Sequence, residues 1–297
     1  MTTAARLENS CAEALAELDP SVFKTQFNRQ AFRIGHHLAD HPLFDLGRLV
    51  ELAQTLPTDR VEYNAGNLPV GQDPNKTPQN GLSPEETIER IASCDSWLAL
   101  KNVEADPEFK ALLDDCLDAV EPYTCDDYPC MHQREAFIFV TSPGSVTPFH
   151  IDHEHNFLLQ VRGSKEIHIW DRAERRVLTE EDLERYHCGG HRNLVYRDEF
   201  ARYEQVFGLE PGDGLHFPVT APHWVQNGPE VSVSFSITFR SAHHDREPAL
   251  YRLNSKLRRL GLRPTPVGQS VLRDNVKFGA VRAGRAAKGL LKPGRSD

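Results

Sequence analysis

Two segments of the 297-residue chain gather side chains able to hold a metal ion. The first is Gly144-Ser-Val-Thr147-Pro-Phe-His150-Ile-Asp152-His-Glu-His-Asn156, running on to Gly163. The second is Gly212-Asp-Gly-Leu-His-Phe-Pro218-Val-Thr220-Ala-Pro-His223-Trp-Val-Gln-Asn227. Alternate residues of an extended strand point to one side. His150 and Asp152 therefore present an imidazole and a carboxylate together, just after a Gly-x-x-Thr-Pro turn. His223 follows a Pro-x-x-x-Pro stretch and opens a further strand, which closure of a barrel can bring opposite the first two. Two histidines and one carboxylate on one face of a metal leave three positions open, as in the non-haem Fe(II) oxygenases. Those open positions take a bidentate co-substrate and dioxygen together. An isolated His-x-Asp is common; the downstream Gly-Asp…Pro-His-x-x-x-Asn segment is what makes this one informative.

The elements that must position these residues are legible in outline. Past Tyr128, short β-like runs are split by Gly, Pro, Asn and Asp: 136–141, 156–161, 166–171, 204–207, 215–217 and 231–240. Strands at this spacing predict an all-β sandwich or barrel. The front of the chain reads as mixed. Helical spacing covers 4–18, 45–56 and 106–120, and Trp97–Val103 reads as a strand. Ser83-Pro-Glu-Glu86 is a capping-box pattern and predicts a helix to about Ser93. Residues 64–82 read as a loop, and 172–203 as a long polar insertion.

The two segments resemble the paired cupin motifs. The first matches G-x5-H-x-H-x3-E-x6-G in spacing, with Asp152 for the second His and Asn156 for the Glu. The second matches G-x5-P-x-G-x2-H-x3-N, with Thr220 for the middle Gly. This variation resembles the JmjC-type 2-oxoglutarate oxygenases, in particular their asparaginyl-hydroxylase-like branch. The likeness covers roughly residues 135–240. In that branch a Thr precedes the first His by three residues and a Lys follows it by fifteen; here they are Thr147 and Lys165. The resemblance implies that both bind the far carboxylate of 2-oxoglutarate and that Asn156 is an active-site Asn. A dicarboxylate deep in a barrel needs a buried cation to offset its desolvation, which agrees with Lys165. Arg240, on a late strand, is the rival anchor.

The fold implied is mainly β with flanking helices: a double-stranded β-helix, the cupin or jelly-roll barrel. An N-terminal α+β extension would span 1–130, the barrel 131–242 with its insertion at 172–203, and a basic helical C-terminal tail 243–297. The function implied is Fe(II)/2-oxoglutarate-dependent hydroxylation of a small molecule or peptidyl side chain, with His150, Asp152 and His223 on the iron. Succinate and CO₂ would be co-products, and dioxygen the oxidant. Because the carboxylate ligand is present, hydroxylation or desaturation is expected rather than halide transfer. The alternatives are a cupin-type metal enzyme that does not use 2-oxoglutarate, or a non-catalytic cupin-like binding protein. The rim of the pocket is expected from 64–82, 128–139 and 185–203. Trp97, Trp170 and Trp224 are expected in the core, and the remaining histidines of the region at the surface or in packing.

Net charge is −9, with 34 basic and 43 acidic residues, so nucleic acid is not an expected partner. The charge is uneven: residues 251–297 carry twelve Lys/Arg against two Asp, leaving −19 on the first 250. Leu250, Leu253, Leu257 and Leu260 form an apolar helical stripe in this basic tail. The resemblance assigns such a stripe to a homodimer interface; packing on the chain's own acidic front is the plainer alternative. No apolar run suits a membrane span, no secretory signal is visible, and six cysteines without a Cys-x-x-Cys pair suggest free thiols. A cytoplasmic protein is expected.

Overall fold

The computed structural model describes residues 14–124, 131–241 and 246–290. Within them, strands β4 (His132–Thr141), β5 (Val146–His150), β6 (His155–Arg162), β7 (Lys165–Trp170), β8 (Glu204–Leu209), β9 (Asp213–Phe217), β10 (His223–Asn227) and β11 (Ser232–Arg240) build two facing sheets. One carries β9-β6-β11-β4 and the other β5-β10-β7-β8, all antiparallel. This is the double-stranded β-helix. The N-terminal segment adds β1 (Phe32–Gly35) at one edge of the larger sheet and β3 (Ser96–Lys101) then β2 (Val61–Ala65) at the other, making it seven-stranded.

β11 shows how sequence alternation makes both a core and a cavity. Val233, Phe235, Ile237 and Phe239 point outward and are fully buried beneath the N-terminal helices. Leu49 and Leu52 of helix Leu46–Thr55 and Phe109, Leu113 and Leu117 of helix Pro107–Thr124 meet them in one core. Ser232, Ser234, Ser236 and Thr238 point inward. Short hydroxyl side chains on the inner face leave room inside the barrel, and Ser236 and Thr238 line the cavity described below. A bulky apolar set there would fill it.

The capping box forms as predicted. Glu86 N–H donates to Ser83 Oγ at 3.2 Å, and Ser83 N–H to Glu86 Oε2 at 2.9 Å. The helix covers only Pro84–Glu89 before breaking into turns. Ser83→Ala should lower unfolding stability by about 1 kcal/mol, measured as a shift in denaturant midpoint at unchanged slope.

Other expectations are corrected. Of the helix expected over 4–18, residues 14–18 are extended, and Leu15 bridges His36; the earlier part lies outside the described residues. Apolar spacing there serves one-sided burial of an extended segment. The long polar insertion at 172–203 holds helix Glu180–His187, capped by Thr179, and a 3-10 turn at Asp198–Tyr203. Of the tail stripe Leu250, Leu253, Leu257 and Leu260, only Leu250 is fully buried. Helix Arg246–Arg259 buries Leu250 and Tyr251 and lies on the insertion helix, with Arg258 forked onto Glu184 at 3.0 Å through Nε and Nη2. Leu260 is left 77% exposed. Cys94 and Cys188 are free thiols and Cys116 is buried in the core; Cys11, Cys125 and Cys130 lie outside the described residues.

Candidate active site

Strand register brings the two sequence segments together. β5 and β10 pair so that His150 stands opposite His223, then Thr147 opposite Val225. β10 pairs on its other side with β7, placing Asn227 opposite Lys165. His223, Val225 and Asn227 share one face of β10, and all three line an internal cavity of about 100 Å³. His150, Thr147, Asp152, Asn156 and Lys165 line it too. From His223 to Asn227 is four residues, about 13 Å of strand. One end of the cavity therefore carries the imidazoles and the other the amine.

At the imidazole end, ligand atoms of His150, Asp152 and His223 lie within 4.8 Å of one another. Asp152 Oδ2 is 3.6 Å from His150 Nε2 and 3.5 Å from His223 Nε2. His150 Nδ1 is 2.7 Å from the Pro148 carbonyl, and His223 Nδ1 is 3.0 Å from the Ala221 carbonyl. A carbonyl only accepts, so each Nδ1 carries the proton and each Nε2 keeps its lone pair for the shared space. Burial, with His150 alongside, pushes the His223 imidazole down to about 3, holding it neutral. Burial pushes the Asp152 carboxyl up, but the neighbouring His150 and Arg192 outweigh it, and the group stays well below the usual carboxylate range. Two imidazoles and one carboxylate, open on the cavity side, fit a divalent cation.

Two residues of the motifs shape this end. Thr220, where the cupin pattern has Gly, adopts φ +61°, a left-handed conformation that a β-branched residue rarely takes. Its N–H donates to the Asp152 carbonyl at 2.8 Å, tying the second segment to the first. Gly163 has φ +66°, and a Cβ there would sit 2.4 Å from the Val231 carbonyl oxygen. The close turn into β7, and so the position of Lys165, requires glycine.

At the far end, Lys165 is 5% exposed, and among the described residues no carboxylate pairs with it. Burial alone pushes its amine down to about 7. Thr147 Oγ1 accepts from Trp97 Nε1 at 3.1 Å, and Asn156 Oδ1 accepts from Ser236 at 3.1 Å. Arg240 is not brought into the cavity wall. It sits at the end of β11 and donates to Glu154 Oε1 at 3.1 Å. Its distance in sequence from His223 carries it past the cavity.

Sequence reasoning missed five contributors. Trp97, expected in the core, is buried but forms part of the cavity wall; Trp170 is core as expected, and Trp224 stacks on His168. Glu154 lines the cavity, and its shared strand parity with Asp152 was a usable signal. Ser236 and Thr238 were legible in the β11 alternation. Arg192 was not: it reaches Asp152 only through the folded insertion, Nη1 to Oδ1 at 3.0 Å. A wider cleft of about 460 Å³ adjoins the cavity, walled by Trp97, Phe137, Phe139 and Thr147 and by Glu62, Lys101 and Arg192.

Residues 119–246 match the model of the JmjC domain. That stretch is a JmjC domain. Solved structures of Escherichia coli YcfD share the fold. One superposes with a TM-score of 0.53 at 16% identity, covering 92% of this chain and 69% of that one. Another, YcfD described as a ribosomal oxygenase in complex with cobalt and 2-oxoglutarate, gives 0.50 at 14%, covering 92% and 68%. With this JmjC domain the chain is a 2-oxoglutarate-dependent dioxygenase, with Fe(II) and 2-oxoglutarate as its cofactor and co-substrate. No helix among the described residues is long and apolar enough to cross a membrane.

Proposed function

We propose that this JmjC protein hydroxylates an uncharged polar group, on a small molecule or a peptidyl side chain, releasing succinate and CO₂. One observation carries the reading: three metal donors converge at one end of a cavity whose other end holds Lys165, buried and unmatched by any described carboxylate. Bound Fe(II) would supply the activation of dioxygen coupled to decarboxylation of the keto acid. His150, Asp152 and His223 would hold it through Nε2, Oδ2 and Nε2. Lys165 and Thr147 would take the far carboxylate of 2-oxoglutarate, and Asn156 would contribute a side-chain amide to the same wall. The enclosing Trp97, Phe137 and Phe139 keep bulk water from the reacting centre.

The charge pattern of the cleft supports an uncharged substrate. Each described carboxylate lining cavity or cleft already has its own cation: Glu62 has Lys101, Asp152 has Arg192 and Glu154 has Arg240. The chain's acidic excess lies elsewhere. Anaerobic loading with Fe(II), followed by succinate measurement with and without candidate substrates, tests the function. No succinate from 2-oxoglutarate in the metal-loaded protein, with or without substrate, would favour the other cupin chemistries.

The same proposal places the protein in the cytoplasm, as a homodimer. The second tail helix, Val271–Leu290, presents an exposed apolar face. There Val271, Leu272 and Val276 are 73%, 74% and 67% exposed. Leu272→Asp with Val276→Asp should halve the particle mass seen by light scattering. A wild-type protein already at monomer mass would end the dimer reading.

A further inference from the structure

The 172–203 insertion has no part in the family motifs, yet one of its side chains meets the metal site. We propose that Arg192 is a positioning residue that keeps Asp152 a one-oxygen ligand. The inference rests on the reading that His150, Asp152 and His223 hold the metal. The two carboxylate oxygens have different neighbours. Oδ2 faces both imidazoles at 3.6 and 3.5 Å, while Oδ1 accepts from Arg192 Nη1 at 3.0 Å. A charge-assisted hydrogen bond of this length fixes a carboxylate's rotation. With Oδ1 held, Oδ2 alone is free for a cation. A carboxylate free to turn can chelate through both oxygens, and would then occupy one of the three positions needed by a bidentate keto acid and dioxygen.

The backbone that delivers Arg192 is built for fixed aim. Residues 192–194 run antiparallel to the end of β5: Ile151 N–H donates to the Arg192 carbonyl at 3.1 Å, and Leu194 N–H to the Phe149 carbonyl at 3.0 Å. Asn193 bridges His150 itself. The segment is anchored behind by helix Glu180–His187, which the tail helix grips through Arg258 on Glu184 and Arg252 on the His187 carbonyl. Leu183, Leu194 and Tyr251 close one apolar cluster around that join. The basic tail, the acidic insertion helix and the metal site are thus one mechanical chain. Arg192 also faces the outer cleft, so its removal deletes little packing.

Mn(II) is the probe, because its affinity and its bound water can both be read without turnover. Arg192→Met should weaken Mn(II) binding by about 10- to 100-fold, the usual effect of losing an outer-shell partner. With 2-oxoglutarate present, it should also lose the water-proton relaxation due to the last open position. Arg192→Lys, which restores one donor, should recover part of both at an unchanged melting temperature. Wild-type affinity and relaxation in Arg192→Met overturns the proposal. Equal loss in the Met and Lys variants, accompanied by a lowered melting temperature, also overturns it, by showing a structural role only. His150→Ala is the control: if it binds Mn(II) like wild type, the ligand reading itself has failed, whatever Arg192 does.

Discussion

His150→Ala is expected to abolish the conversion of 2-oxoglutarate to succinate, with or without substrate. The variant removes one of three converging donors, and a cation held by two keeps neither its affinity nor its geometry. The loss should exceed about 100-fold, the upper range for outer-shell partners alone. His150 is buried at a strand end, so truncation there could disturb β5. Asp152→Asn guards against that: it keeps the shape and removes the charge that Fe(II) requires. Loss of turnover in both, with wild-type circular dichroism, is the predicted result. Wild-type turnover in His150→Ala would remove the assignment.

Lys165→Ala should act on 2-oxoglutarate and leave metal binding nearly untouched. Truncating one partner of a buried charge pair costs about 3–5 kcal/mol, or roughly two to three and a half orders of magnitude in apparent KM. Arg240→Ala should leave that KM in place, because Arg240 is spent on Glu154 outside the cavity wall. The amine also predicts a pH dependence. In the ligand-free protein, burial lowers Lys165 to about 7, against an ordinary lysine near 10.5. Above about pH 7 the free site is increasingly neutral, and binding a dicarboxylate must bring in a proton. Affinity for 2-oxoglutarate should therefore fall as pH rises from 7 toward the higher pKa of the paired amine. Below 7 the amine is already charged, and this contribution flattens. Calorimetric titrations in buffers of different ionisation heat measure the proton uptake directly, and Lys165→Met should abolish it. Affinity that rises with pH above 7 would contradict the anchor.

What the sequence revealed and what it hid follow from how far apart the cooperating residues lie. The metal ligands were legible because strand parity is local. Asp152 follows His150 by two residues, and the second motif marks His223. Their meeting then needs only the β5–β10 pairing. That Lys165 lines the same cavity agrees with its offset from His150 in the family the motifs resemble. The strands β1 and β2 were missed because each is short and borrows its stability from edges of a sheet built by distant residues. The tail helix was legible by its leucine spacing, but its buried face runs through Ala249, Leu250, Tyr251, Asn254 and Ser255, and Leu260 is exposed, because periodicity does not say what covers a face. The tail helix meets helix Glu180–His187 through Tyr251 against Leu183 and through Arg258 on Glu181 and Glu184. Arg192 was invisible for the same reason: its aim depends on an insertion folding back over forty residues onto β5.

A crystal of the protein soaked with Mn(II) and 2-oxoglutarate tests the central claim most directly, through the anomalous signal of the metal and the density of the keto acid. The account predicts one anomalous peak bonded by His150 Nε2, Asp152 Oδ2 and His223 Nε2, with the far carboxylate of 2-oxoglutarate against Lys165 Nζ and Thr147 Oγ1. A metal bound away from those three donors, or a far carboxylate resting on Arg240, would contradict it.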